Sequence, residues 1–146
     1  MTIKGLVGLL VSAVVLLALS PVVAVAQGLI HVGNLDGNSA SAPRNRWSAT
    51  VTVTVHDEAD VPLASATVTG SWSGVKVNKK TASLTGSCVT DASGQCTITL
   101  NNIKRNTASV TFEVQAVASP LGTYDPGANH DPDGDSNGTS ITVAKP

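Results

Sequence analysis

The residues whose types and spacing carry most chemistry lie near the C-terminal end. In NHDPDGDSNGT (129–139), Asp131, Asp133, Asp135 and Asn137 occupy every second position. Hard oxygen ligands spaced in this way suit calcium. Counted from Asp133, the residues Asp133, Asp135, Asn137 and Gly138 match the opening of an EF-hand-type loop, including the glycine of its sharp turn. The second half of such a loop fails. Ala144 stands where the bidentate glutamate belongs, and Ser140 to Val143 (SITV) reads as a strand rather than a helix. A calcium ion here needs further oxygens, with Asp36 or Asn38 of LDGN, or Asp125 and Asp131 nearby, as candidates. First and last strands of a sandwich can lie close, so Asp36 beside Asp133 and Asp135 is the contact this reading requires. The competing reading is a solvated turn, because Asp and Asn favour turns through bonds to their own backbone.

Other chemistry finds less support. Serine and histidine are present, but not in a nucleophile context such as G-x-S-x-G. The two glutamates, Glu58 and Glu113, are far apart, and no pattern sets paired carboxylates across a cleft. An enzyme is therefore not expected. Cys88 and Cys96 are the only cysteines and predict one disulfide. In CVTDASGQC the turn residues Asp91 to Gly94 lie between them, so the bridge is expected to staple neighbouring strands of a hairpin. Two thiols cannot make a structural zinc site, and His31, His56 and His130 lie far from them in sequence.

The elements that must position these residues show a period of two. In WSATVTVTV, Trp47, Ala49, Val51, Val53 and Val55 alternate with Ser and Thr, which predicts a strand with one buried face. Ala64, Ala66, Val68, Gly70 and Trp72 repeat the pattern, as do Cys96, Ile98 and Leu100, and then Val110, Phe112, Val114, Ala116 and Ala118. Leu29 to Val32, Gly74 to Asn78, Ala82 to Leu84 and Ser140 to Val143 are shorter candidates. Trp72 and Trp47 are both expected in the core, with half exposure the alternative for Trp47 because it sits at a strand start. GNLDGNSASAPRN (33–45) is small and polar and reads as a loop. Seven or eight short antiparallel strands predict an all-β, immunoglobulin-like sandwich, with a β-barrel as the competing architecture.

The sequence opens with a short, positively charged stretch, Met1 to Lys4, and an apolar run from Gly5 to Leu19, followed by Ser20-Pro21 and the small residues Ala24 and Ala26. This pattern predicts a signal peptide over 1–26, cleaved between Ala26 and Gln27, ahead of one domain over 27–146. The alternative is an uncleaved anchor, but the run is short for a bilayer, which needs about 20 residues. Cleavage would leave a secreted protein with no stable membrane span. The formal net charge of −1 becomes one unit more negative without Lys4, which argues against nucleic acid as a partner.

Taken in order, HVGNLDGNS (31–39), RWSATVTVTVHD (46–57), ASATVTGSWSG (64–74), TDASGQCTITL (90–100), SVTFEV (109–114) and YDPGANHDPDGDSNGTSITVAKP (124–146) resemble a bacterial immunoglobulin-like module. That module is found at the C-terminus of secreted subtilisin-like peptidases and other large extracellular bacterial proteins. A more distant resemblance, through Val55-His56-Asp57, Pro62 to Val68 and Thr90 to Gly94, is to the invasin/intimin type. Asn34 stands where the family more often carries Asp. The resemblance implies a fold and a non-catalytic extracellular role, structural or in binding a protein or cell-surface ligand. Its alternatives are a calcium-stabilised adhesion module and a carbohydrate-binding module that stacks sugars on Trp47, Trp72 or Tyr124. A self-associating fibre through edge strands is a further possibility.

Overall fold

The computed structural model describes residues 27–77 and 80–146. The expected signal peptide and the Ala26 side of its expected cleavage position lie outside these residues. The protein is an all-β, immunoglobulin-like sandwich of eight strands: β1 (Gly28–Ala42), β2 (Arg46–Asp57), β3 (Thr67–Val77), β4 (Lys80–Val89), β5 (Gln95–Lys104), β6 (Ser109–Ala118), β7 (Gly122–Tyr124) and β8 (Ser140–Ala144). One sheet has the order β5-β2-β1-β7 and the other β4-β3-β6-β8. Among the described residues no helix is long and apolar enough to cross a membrane.

The core follows the alternation of β2. Trp47, Ala49, Val51, Val53 and Val55 are all buried, and they meet Val68, Trp72, Val110 and Phe112 of the opposite sheet. Burying each such aliphatic side chain contributes about 1.5–3 kcal/mol. Trp47 is only 1% exposed, not half exposed. The strand start is covered, and the indole donates to the Lys104 carbonyl at 3.2 Å. Trp72 packs on Phe112 with ring centroids 5.0 Å apart.

Three expectations are corrected. The stretch 33–45 is not a loop, because β1 continues through it and pairs with β2 from Ile30↔Asp57 to Ala42↔Arg46. The strong Val/Thr strand beside it supplies the ladder that small polar residues do not specify alone. The hairpin then closes through Arg44 and Asn45, both with φ of 58°. In β6, Thr69 pairs with Ala116 but Gly70 with Val114, so Gln115 is an extra residue. This bulge flips the phase, burying Val117 and leaving Ala116 and Ala118 exposed. Finally, the disulfide does not staple a hairpin. Cys88 on β4 and Cys96 on β5 belong to different sheets, with Cα atoms 5.7 Å apart. The turn between them carries the chain across the sandwich, and the bridge ties the two sheet edges together.

Candidate metal centre

The acidic loop is built against β1. Along one side β1 pairs with β2, but along the other β7 covers only Gly28 to Ile30. Beyond that point the open edge needs partners for its buried amides and carbonyls. The chain following β7 supplies them. Asp125 N–H donates to Ile30 O at 2.9 Å, and His130 N–H to Val32 O at 3.0 Å. Between them, Val32 N–H donates to Asn129 Oδ1 at 2.9 Å. Asn129 also donates through Nδ2 to the Tyr124 hydroxyl at 2.8 Å and to Thr139 Oγ1 at 3.0 Å. Further along, the amides of Leu35 and Gly37 approach the Asp131 and Asp135 carboxylates and favour their charged forms. The loop thus runs beside β1 as an irregular stand-in for a strand.

This placement brings Asp36 of β1 to the acidic loop. One carboxylate oxygen each from Asp36, Asp133 and Asp135 lies within 4.8 Å of the other two. Partial burial, then the charges of Asp133 and Asp131, pushes the Asp36 carboxyl above the usual range. Asp135 is pushed up likewise, by burial and then by Asp133, Asp131 and Asp36. Asn34 Nδ2 donates to Asp36 Oδ2 at 3.2 Å, while its own Oδ1 is buried without a partner. Among the described residues no lysine or arginine pairs with these carboxylates, and the one ion pair joins His31 to Asp60. Three oxygens from two segments can therefore take a divalent cation, and without one they repel each other.

The other two expected ligands are placed differently. Asp131 stands outside the group of three. Burial opposes its ionisation, but hydrogen bonding from Ser136, whose amide lies 2.6 Å from Asp131 Oδ2, holds it below the usual range. Asn137 Oδ1 accepts from the amides of Thr139 at 2.9 Å and Ser140 at 2.6 Å, which starts β8. Gly138, with φ of 77°, packs on the His130 backbone, where a Cβ would lie 2.8 Å from its N and O atoms.

Compared with protein-family models, with curated proteins and with solved structures, the chain matches none. The arrangement must be read from its own geometry.

Sequence reasoning missed Asn129, which looks like any other turn residue in a polar run. It also missed that the fold gathers His31, His56 and His130 with Asp60. Burial, then the neighbouring His31, holds the His56 ring below the usual histidine range. Only His56 and Asp60 lie close in sequence, and His31 and His130 come from distant parts of the chain, so no ligand spacing announces the grouping.

Proposed function

We propose that this protein is a secreted, non-catalytic immunoglobulin-like module of the bacterial type, with a structural or binding role, whose acidic loop is fastened to β1 by calcium. The observation that carries the calcium reading is the convergence of Asp36 with Asp133 and Asp135, drawn from opposite ends of the domain. Carboxylates alone suit a hard cation such as calcium. Asn137 is occupied in starting the last strand, whereas Asp131 keeps a buried Oδ1 without a hydrogen-bond partner and is a candidate for one of the further oxygens that calcium takes. Export is supported by a disulfide in a small β domain, a combination usual in oxidising compartments. The adhesive reading does not extend to sugar stacking by tryptophan, because Trp47 and Trp72 are both buried.

The test is thermal melting in 10 mM calcium against chelator, with magnesium as a control. Extracellular calcium modules bind with Kd of about 0.1–1 mM. Mass action then gives a gain of about 1.4–2.7 kcal/mol at 10 mM calcium. That gain corresponds to a rise in Tm of roughly 5–10 °C for a domain of this size. Asp133→Asn and Asp135→Asn should each remove most of the rise. Equal melting with and without calcium would defeat the proposal.

A further inference from the structure

We propose that His31, His56, Asp60 and His130 form a second metal site, one for a divalent transition metal, with zinc the ion their ligand set suits best. It shares no residue with the carboxylate group and rests on separate observations.

The first is convergence. One ring nitrogen of each histidine and one Asp60 oxygen all lie within 4.8 Å of one another. Zinc holds nitrogen and oxygen ligands at about 2.0–2.2 Å in a tetrahedron, which sets its donor atoms roughly 3.3 Å apart. His31 Nε2 and Asp60 Oδ1 already stand 3.1 Å apart. Small side-chain movements would bring in the remainder.

Why the residues meet follows from the backbone. His31 and His56 are direct cross-strand partners in the β1–β2 ladder, so their side chains emerge on the same face of the sheet. After β2 the chain turns sharply. Asp57 Oδ1 accepts from the Ala59 and Val61 amides, and Asp60 takes up φ of 59°. Aspartate tolerates that left-handed conformation better than most residues, and the turn brings Asp60 to His31. The edge-tracking loop then sets His130 over the pair, with ring centroids 5.0 Å from His31 and 6.2 Å from His56.

The second observation is the state of the rings. His31 is buried, and His56 Nδ1 is buried with no hydrogen-bond partner. At Gly33, the bulge residue of β1, any Cβ would collide with the His56 ring, so glycine is what admits it there. His130 Nδ1 lies 3.4 Å from the Ala128 carbonyl. In the tautomer that donates to this carbonyl, Nε2 keeps its lone pair, the usual outer-shell device of a metal-binding histidine. Hydrogen bonding alone accounts for the set poorly. The His31–Asp60 pair uses the one carboxylate in the group and leaves two further rings facing it.

Ligand chemistry and access decide the ion. Imidazole favours zinc and its transition-metal neighbours over calcium or magnesium, and three imidazoles with one carboxylate complete a four-coordinate set. An open groove lined by Leu29, His31, Glu58, Asp60, Ala128 and His130 leads to it from solvent.

The experiment uses the purified protein, prepared without a histidine tag, stripped with chelator and titrated with zinc by calorimetry. One zinc per chain is expected. Cobalt in its place should give the visible absorption of a tetrahedral site, and excess calcium should not displace either ion. His130→Gln and Asp60→Asn change exposed residues, so folding is expected to persist and is checked by metal-free melting. Loss of an outer-shell partner alone costs metal affinity 10–100-fold, so each variant should weaken zinc binding by about 100-fold or more. Asp133→Asn should leave zinc binding unchanged, which separates this site from the calcium reading. Absence of stoichiometric zinc would overturn the proposal. So would affinity unchanged in both His130→Gln and Asp60→Asn, or affinity lost in Asp133→Asn.

Discussion

Replacing Asn129 by alanine tests whether the loop replaces a strand at the edge of β1. Asn129 Oδ1 is the acceptor for Val32 N–H, and Val32 is fully buried, at 0% exposure. The truncated side chain leaves that amide without a partner, which costs about 1–3 kcal/mol. Two further hydrogen bonds, to Tyr124 and Thr139, are lost from Nδ2. Each has a net value of about 0.5–1.5 kcal/mol. Both hydroxyls belong to half-buried residues and can re-pair with water, so the lower half of that range applies. The expected destabilisation is roughly 2–5 kcal/mol, or a fall in Tm of about 8–20 °C.

Asn129→Asp separates the contributions. It keeps an acceptor for Val32 N–H but loses both donors, so its loss should be smaller than that of alanine. Urea and thermal unfolding followed by circular dichroism give the two values. Amide exchange supplies the local reading, with the Val32 amide losing protection in Asn129→Ala and keeping it in Asn129→Asp. If Asn129→Ala unfolds within about 0.5 kcal/mol of the parent, the size expected of a featureless surface change, the loop is not performing the pairing assigned to it.

Replacing Cys88 and Cys96 together by serine frees a short closed loop and should cost about 2.5 kcal/mol by chain entropy, seen as a lower urea midpoint that reducing agent reproduces in the parent. Thr90 is buried, accepts from Ala66 N–H at 2.9 Å and donates to Leu63 O at 2.7 Å. Thr90→Val leaves both unpaired at about 1–3 kcal/mol each, and Thr90→Ser should recover most of the loss in thermal melts. The Ser93 hydroxyl, then the Gln95 amide, holds the Asp91 carboxyl below its ordinary value of 3.8, and the Val61 and Ala59 amides do the same for Asp57. Because these folded-state values are depressed, their contribution is present above pH 3.8 and is lost as pH falls through the lower folded values. Asp91→Asn should therefore flatten the acid limb of the stability profile below about pH 4, and an unchanged limb would refute this assignment.

How much of this was legible in the chain depends on how local its cause is. The alternation in β2 is a local pattern, and the five residues that it points inward are all buried, with Thr54 covered as well. The second half of β1 was not legible, since Gly37, Asn38 and Ser39 hold a strand only because Val51, Thr50 and Ala49 stand opposite. The β6 bulge is similar, because the register against Gly70 decides which of Ala116 and Val117 points inward. The disulfide pairing followed from there being two cysteines. Its position across the sheets did not, because a turn between two strands looks alike whether or not they share a sheet. For the acidic loop, the missing twelfth ligand pointed outward to Asp36, and the fold does bring Asp36 there. The histidine group carried no comparable signal, since cross-strand pairing, a left-handed turn and a distant loop each supply part of it.

The loop that carries these groups also guards the domain. Without it, β1 beyond Ile30 would present an unpaired edge, the feature through which β proteins join to one another. Asp125, Asn129 and His130 cover that edge by hydrogen bonds that depend little on solution conditions. Around Asp36, Asp133 and Asp135 the position is reversed, since like charges held close together, with Asp36 half-buried, work against closure unless a cation offsets them. The two sheets and their disulfide are thus fixed by packing, while the cover over β1 is balanced between its hydrogen bonds and its charge.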